Sequence, residues 1–279
     1  MFSTMKRWLR QRRRTRKKLT KLDGADIVIV SFAKSGRTWL AAMISRVFHL
    51  TYGTPESELV NFDNLHQLNP RIPKIFFTAD NFRPREVEGR AFVDLYRGKR
   101  LILLVRDPRD TAVSFYFQLS KRATQTERDV FGAPDDIAKM SLYEFVRDER
   151  FGLPKVIEFL NRWQQAAGTG PNRLLITYEA MRAEPEAVLR RVMEFIGGDY
   201  TDSAIVQAVE FASFENLKEL ERESFFTSNR LRAGDAKDED SFKVRRAKVG
   251  GYRDYFTPEE TAAIDKLTAE LLVPELGYR

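Results

Sequence analysis

The sequence predicts an α/β fold: a doubly wound three-layer sandwich with a central parallel sheet. Three observations predict it. Short runs of apolar β-formers recur along the chain, segments with helical patterning separate them, and the first run opens directly into a cationic turn containing glycine. Four apolar β-formers in succession read as a strand covered on both faces, the condition inside a parallel sheet.

Residues 1–22 come first, as a tail. Ten Lys or Arg lie between positions 6 and 21, and no acid occurs before Asp23. Phe2, Met5, Trp8 and Leu9 stand at about helical spacing. The tail reads as an interfacial helix on an anionic membrane surface, as a nucleic-acid-binding arm, or as a solvated, partly ordered extension. Ile27-Val28-Ile29-Val30 is the first strand, and a helix from about Thr38 to His49 follows. Ile75-Phe76-Phe77, Leu101-Ile102-Leu103-Leu104-Val105 and Leu174-Leu175-Ile176 are further strands. Helices are expected at about 108–120, 153–167 and 185–197, with a short one near Ser141–Arg147. The polar stretches 120–150 and 228–250 are expected to be irregular segments that move around a site.

Composition narrows the function. A chain of 279 residues suits one large domain, here over 23–279. No apolar run approaches the length of a membrane span, and no apolar segment of a secretory signal follows the basic N-terminus. Cysteine is absent, which excludes disulfides, thiolate metal sites and cysteine nucleophiles and fits a cytoplasmic location. Only two histidines occur, His49 and His66, too few for a histidine-rich metal site. The net charge is +7, but without the ten tail cations 37 basic residues face 40 acidic ones. The basic character belongs to the tail, so the body carries no nucleic-acid signature.

Three motifs carry chemistry. In SFAKSGRTW, residues 31–39, the strand ends near Phe32 and Gly36 permits a tight turn. Ser35, Gly36, Arg37 and Thr38 then present backbone N–H groups at a helix N-terminus, where they and the helix dipole favour an anion. Lys34 adds a charge and Thr38 a hydroxyl, at the carboxyl end of a parallel strand, where ligands bind in such sheets. The nucleotide-triphosphatase pattern places lysine after the last glycine. Here Lys34 precedes Gly36, and Ser31 stands where the first glycine belongs, so a magnesium-dependent kinase using ATP is disfavoured. In VRDPRDTAVS, residues 105–114, Arg106 ends a buried strand, Asp107 is placed to cap a helix and Pro108 to begin it. Arg106 and Ser114, two turns along, could reach one phosphate. In FKVRRAKVGGYRDYF, residues 242–256, Lys243, Arg245, Arg246 and Lys248 precede Gly250-Gly251, a cationic loop able to close on a polyanion.

Together these motifs resemble the PAPS-dependent sulfotransferases, which use 3′-phosphoadenosine 5′-phosphosulfate as sulfuryl donor and release 3′,5′-ADP. SFAKSGRTW is similar to that family's T-Y-P-K-S-G-T-T-W, RDPRDTAVS to its R-N-P-K-D-x-x-V-S, and RRAKVGGYRDYFT to its R-K-G-x-x-G-D-W-K-x-x-F-T. The resemblance runs from about Ala25 to the C-terminus. It implies the P-loop-like sulfotransferase fold and a single such domain after the tail. It implies that Lys34 holds the bridging oxygen and sulfonate, that Ser35, Gly36, Arg37 and Thr38 bind the 5′-phosphate, and that Trp39 stacks on adenine. Arg106, Ser114, Arg245 and Arg246 would bind the 3′-phosphate, with Ala247 donating its backbone N–H. Tyr178, Ser213 and Phe214 would lie at the purine. A sulfuryl group carries less charge than a phosphoryl group, so no metal is invoked. The acceptor would be a small molecule or glycan bearing a hydroxyl or amine.

One departure stands out. The family's general base is a histidine in a pattern such as K-T-H or F-T-H-D. In KIFFTADNF, residues 74–82, that position is Ala79, which cannot accept a proton, and the strand lysine is Phe77. Asp80 is adjacent but would point to the opposite face unless the strand ends there. Three readings stand: a base-deficient, site-directed form of a histidine enzyme, favoured by the intact remainder of the site; Asp80 as substitute base; or a PAPS-binding protein, such as a membrane-associated adaptor, that turns the donor over poorly.

Overall fold

The computed structural model describes residues 2–79, 95–134, 136–167, 171–232, 238 and 241–278. Its sheet comprises β1 (Ile27–Val30), β2 (Ile75–Thr78), β3 (Arg100–Val105) and β4 (Arg173–Thr177), all parallel, in the order β2-β1-β3-β4. Successive side chains on a strand point to opposite faces. Ile27 and Ile29 accordingly enter one core with Phe77, Ile102 and Leu104, while Val28 and Val30 enter another with Phe76, Leu101 and Leu103. Helix α2 (Arg37–Tyr52) and the helices Pro185–Ile196 and Asp202–Phe211 close the first core. The helices Pro108–Phe117, Leu142–Arg147 and Leu153–Ala167 close the second. The expected three layers are present.

Strand order positions the site. The chain leaves β1 for β2 on one side and later places β3 on the other. Loops diverging from the carboxyl ends of neighbouring strands open a crevice at that switch. Val30 lies opposite Thr78 and Leu103, and Val105 opposite Thr177. Residues 31–36, 79, 106 and 178 therefore leave from one edge of the sheet.

Several elements differ from expectation. The helix begun at Pro108 ends at Phe117 and continues as a π-helical turn, Gln118–Arg122, closed by Ala123 N–H on the Gln118 carbonyl at 2.8 Å. Residues 120–150 are more regular than expected, because Thr124 and Glu127 form a capping box that starts the Gln125–Phe131 helix. The helices Asp202–Phe211, Phe214–Arg222 and Pro258–Leu271 were not anticipated, although Thr257, Pro258 and Glu260 are local start signals for the last. The tail backbone is one helix, α1 (Phe2–Asp23), whose final turn joins the body: Leu22 is fully buried in the second core. Within 228–250, residues 233–237, 239 and 240 lie outside the described residues.

Candidate functional site

After β1 the chain passes through two left-handed residues, Lys34 (φ 72°) and Gly36 (φ 97°), with Ser35 buried between them. Left-handed backbone costs an L-residue about 1–2 kcal/mol. At Lys34 it is held by the Arg106 guanidinium, which donates to the Lys34 carbonyl at 3.2 Å. At Gly36 it comes with a close approach, since a β-carbon there would lie 2.7 Å from the Tyr178 ring. Gly36→Ala is therefore expected to destabilise the fold by at least about 1–2 kcal/mol, read by denaturant unfolding. Parental stability in that variant would show that the loop relaxes freely.

The turn delivers α2 with its first amides open. Leu40 N–H reaches the Gly36 carbonyl at 3.1 Å. The N–H groups of Arg37, Thr38 and Trp39 precede that bond and have no intrahelical acceptor, at the positive end of the helix dipole.

Arg106 follows β3 and ties three segments together. Besides Lys34 it donates to the Lys248 carbonyl at 3.3 Å, lies 3.6 Å from the Asp110 carboxylate and stacks 4.2 Å over the Tyr178 ring. Its Nε is buried without a hydrogen-bond partner. Asp107 caps the following helix by accepting from Arg109 N–H, with Pro108 at the first helical position, as the sequence indicated. Asp110 does more than sit in the first turn. It accepts from Gly250 N–H at 2.8 Å and Tyr252 N–H at 2.9 Å, so it seats the glycine pair of the third motif beside the second. Burial raises its carboxyl pKa, and Arg106 opposes that rise.

The third motif is anchored a second time by Glu221, which sequence reading missed. This fully buried carboxylate accepts from Lys243 N–H at 2.7 Å, Val244 N–H at 2.9 Å and Arg122 at 3.0 Å. Arg245 lies 3.9 Å over the Phe117 ring and bonds the Tyr255 hydroxyl. Arg246 and Lys248 share Asp254. Ala247 has φ 49°, at the position where the R-K-G pattern carries the glycine that such a backbone favours.

A cavity of about 340 Å³ collects these groups. Lys34, Gly36, Arg37, Thr38, Trp39, Arg106, Ser114, Tyr178, Phe214, Arg245, Arg246 and Ala247 all line it. Trp39 is fixed by its indole N–H on the Ala212 carbonyl at 2.8 Å and meets Tyr178 edge to face at 5.8 Å. Ser35 lies beneath the loop, and Ser213 caps the Phe214–Arg222 helix; neither lines the cavity. Ala79, one residue past β2, is partly exposed and does not line it either. Asp80 lies outside the described residues. His49 and His66 are both engaged elsewhere, by Nδ1, with the carbonyls of Thr54 and Ile72.

The site is electrostatically strained. Lys34 is pushed well below the usual lysine range by burial, then by Lys243 and Arg122. Lys243, which also lines the cavity, is lowered to about 7 by burial, then by Arg122, Arg230 and Arg37. An unfolded lysine titrates near 10.4, so between these values the unfolded chain binds more protons and stability rises with pH. Below about pH 7 the charge is present and its cost complete. Lys243→Met is thus expected to raise the melting temperature most near pH 6 and least near pH 10. An equal rise at both would show that the charge carries no cost.

A family model described as a sulfotransferase domain matches residues 24–273. Cytosolic sulfotransferase 7 of Arabidopsis thaliana is 27% identical over 269 residues, covering 88% of this chain and 78% of that protein. Flavonol 4′-sulfotransferase of Flaveria chlorifolia is 26% identical over 264 residues, covering 88% and 79%. Among solved structures, a mouse sulfotransferase complexed with PAP superposes with a TM-score of 0.59 at 23% identity, covering 91% of this chain and 88% of that one. Retinol dehydratase in complex with retinol and PAP gives 0.58 at 17%, covering 90% and 82%.

Proposed function

The chain belongs to the sulfotransferase domain family, and from that premise we propose that it moves the sulfuryl group of PAPS to a hydroxyl or amine of an acceptor and releases 3′,5′-ADP. The observation that carries this is the convergence of two cationic ends on one cavity with an aromatic slot between them. The loop ending in Lys34 and the open amides of α2 form one end. Arg106, Ser114, Arg245 and Arg246 form the other, and Trp39, Tyr178 and Phe214 offer ring faces to a purine. The donor has phosphate at both ends of an adenosine, which suits such a clamp. The unpartnered Arg106 Nε and the open α2 amides are donors awaiting an acceptor.

In the reaction, the bond from sulfur to the bridging oxygen breaks as the acceptor oxygen or nitrogen bonds to sulfur, and the acceptor proton leaves to a base or to water. Lys34 would stabilise the departing phosphate oxygen, and the α2 amides with Thr38 would hold it in position. An anion beside Lys34 opposes the burial and neighbouring cations that lower its pKa, so Lys34 is charged when the donor is bound. With alanine at position 79, this form is slow relative to one with histidine there. Asp80 as substitute base, or a silent PAPS-binding adaptor, are the competing readings.

Calorimetry with 3′,5′-ADP tests the donor. Micromolar binding, weakened about tenfold or more by Lys34→Ala, is expected for the loss of a charge-assisted bond. No binding by the parent chain refutes the proposal.

The acceptor reads as a small molecule, as the flavonol and retinol in the names of similar proteins suggest; a glycan is the alternative. The names of the relatives also favour a cytoplasmic location. For the tail, the continuous α1 helix with its ten cations favours contact with an anionic membrane surface over nucleic acid. Co-sedimentation with phosphatidylserine vesicles, abolished by removing residues 1–20, is the expected outcome; equal pelleting without them refutes it.

A further inference from the structure

We propose that the acceptor itself carries a negative charge, held by Lys243 and Arg37, which line the cavity, with Arg230 close enough to add its charge. This rests on the donor reading above and adds the chemical class of the second substrate. The donor's anionic groups are matched by residues at the ends of β1, β3 and β4 and on the third motif. Beyond Lys34, Arg106, Arg245 and Arg246, the side chains of Lys243, Arg37 and Arg230 are given no donor phosphate to hold.

Their place follows from their contacts. Arg37 donates its amide to the cavity, but its guanidinium turns back to Ser31, bonding its Oγ at 2.8 Å and its carbonyl at 2.5 Å. Ser31 in turn donates its N–H to Thr78, the last residue of β2. Arg230 lies over the Phe77 ring of β2 at 5.7 Å and donates to Asn61 at 2.8 Å. Lys243 lines the cavity, within reach of the charges of Lys34, Arg37 and Arg230. Arg37 and Arg230 are thus tied to the neighbourhood of β2, and Lys243 is near enough to feel both charges.

Among the described residues, none of the three makes an ion pair with a carboxylate. Among the described residues, Glu221 is the acid that acts on Lys243 and Lys34, and it is already occupied by Arg122 and two backbone N–H groups. Burial, and then repulsion from the neighbouring cations, depresses Lys243 to about 7 and Arg37 to about 10. An anion seated among them removes that cost, whereas a neutral acceptor leaves it in place. The groups that set the charge state of Lys243 are Arg122, Arg230, Arg37 and Lys34 against Glu221.

The test compares benzoate with benzamide, two probes of one shape that differ in charge, by calorimetry on the 3′,5′-ADP-loaded protein at pH 6.5. Benzoate is expected to bind at least about tenfold more tightly, a difference typical of a charged hydrogen bond. Lys243→Gln is expected to erase most of that preference, and Arg230→Gln to reduce it, while leaving 3′,5′-ADP affinity within about twofold. Benzoate affinity should also fall between pH 7 and 9, with proton uptake on binding. The proposal is overturned if benzamide binds as tightly, if neither probe binds, or if Arg106→Ala rather than Lys243→Gln removes benzoate, which would seat it in the donor's phosphate site. The same comparison without nucleotide separates the two readings. A benzoate preference that depends on Lys243, in a protein that fails to bind 3′,5′-ADP, upholds the anion subsite and sinks the donor.

Discussion

Ala79→His is expected to raise the rate of sulfuryl transfer about 10²- to 10⁴-fold, the usual worth of a positioned general base, without changing the affinity for 3′,5′-ADP. Position 79 follows β2 directly, so an imidazole there would leave from the carboxyl end of the sheet, two residues past Phe77, over which Arg230 lies. Nearby cations disfavour protonation of an imidazole, so the ring would be neutral and able to accept the acceptor's proton. The measurement is release of 3′,5′-ADP from PAPS with phenol and alcohol acceptors. An unchanged rate, together with loss of activity in Asp80→Ala, would sink the base-deficient reading and make Asp80 the base.

Arg106→Ala is expected to weaken 3′,5′-ADP about 10- to 100-fold, the worth of one hydrogen bond to a charged group. Arg106 has a structural duty as well, since it ties the carbonyls of Lys34 and Lys248 together. The control is 5′-AMP, which lacks the 3′-phosphate and should bind parent and variant within about threefold of each other. Equal losses for both nucleotides would mean that Arg106 acts only by holding the loop, and the 3′-phosphate assignment would fall.

The legible part of the site is the part written in consecutive residues. Lys34 to Trp39 form a strand-to-helix turn whose chemistry is local: one glycine, one lysine, the open amides of a helix start. Asp107 and Pro108 cap their helix as their positions foretold. Glu221 and Asp110 were opaque in the roles the structure gives them. Each acts across more than twenty or a hundred residues of chain, Glu221 on Lys243 and Asp110 on Gly250 and Tyr252. No spacing rule spans such a separation. The helices Asp202–Phe211 and Phe214–Arg222 escaped notice for a related reason: they are short, and their apolar faces are completed only by α2 and the first core.

By itself the sequence determined the α/β class, the strands, the anion-binding turn after the first of them and the absence of histidine at position 79. These depend on periodicity, local backbone preference and residue identity, which need no third dimension. Strand order was decided by tertiary structure. Placing β1 between β2 and β3 brings Lys34 and Arg106 into contact and sets Arg230 over Phe77 of β2. Charge in a folded protein acts through space rather than along the chain, so whether a cation is paired, spare or repelled is settled only when the sheet is assembled.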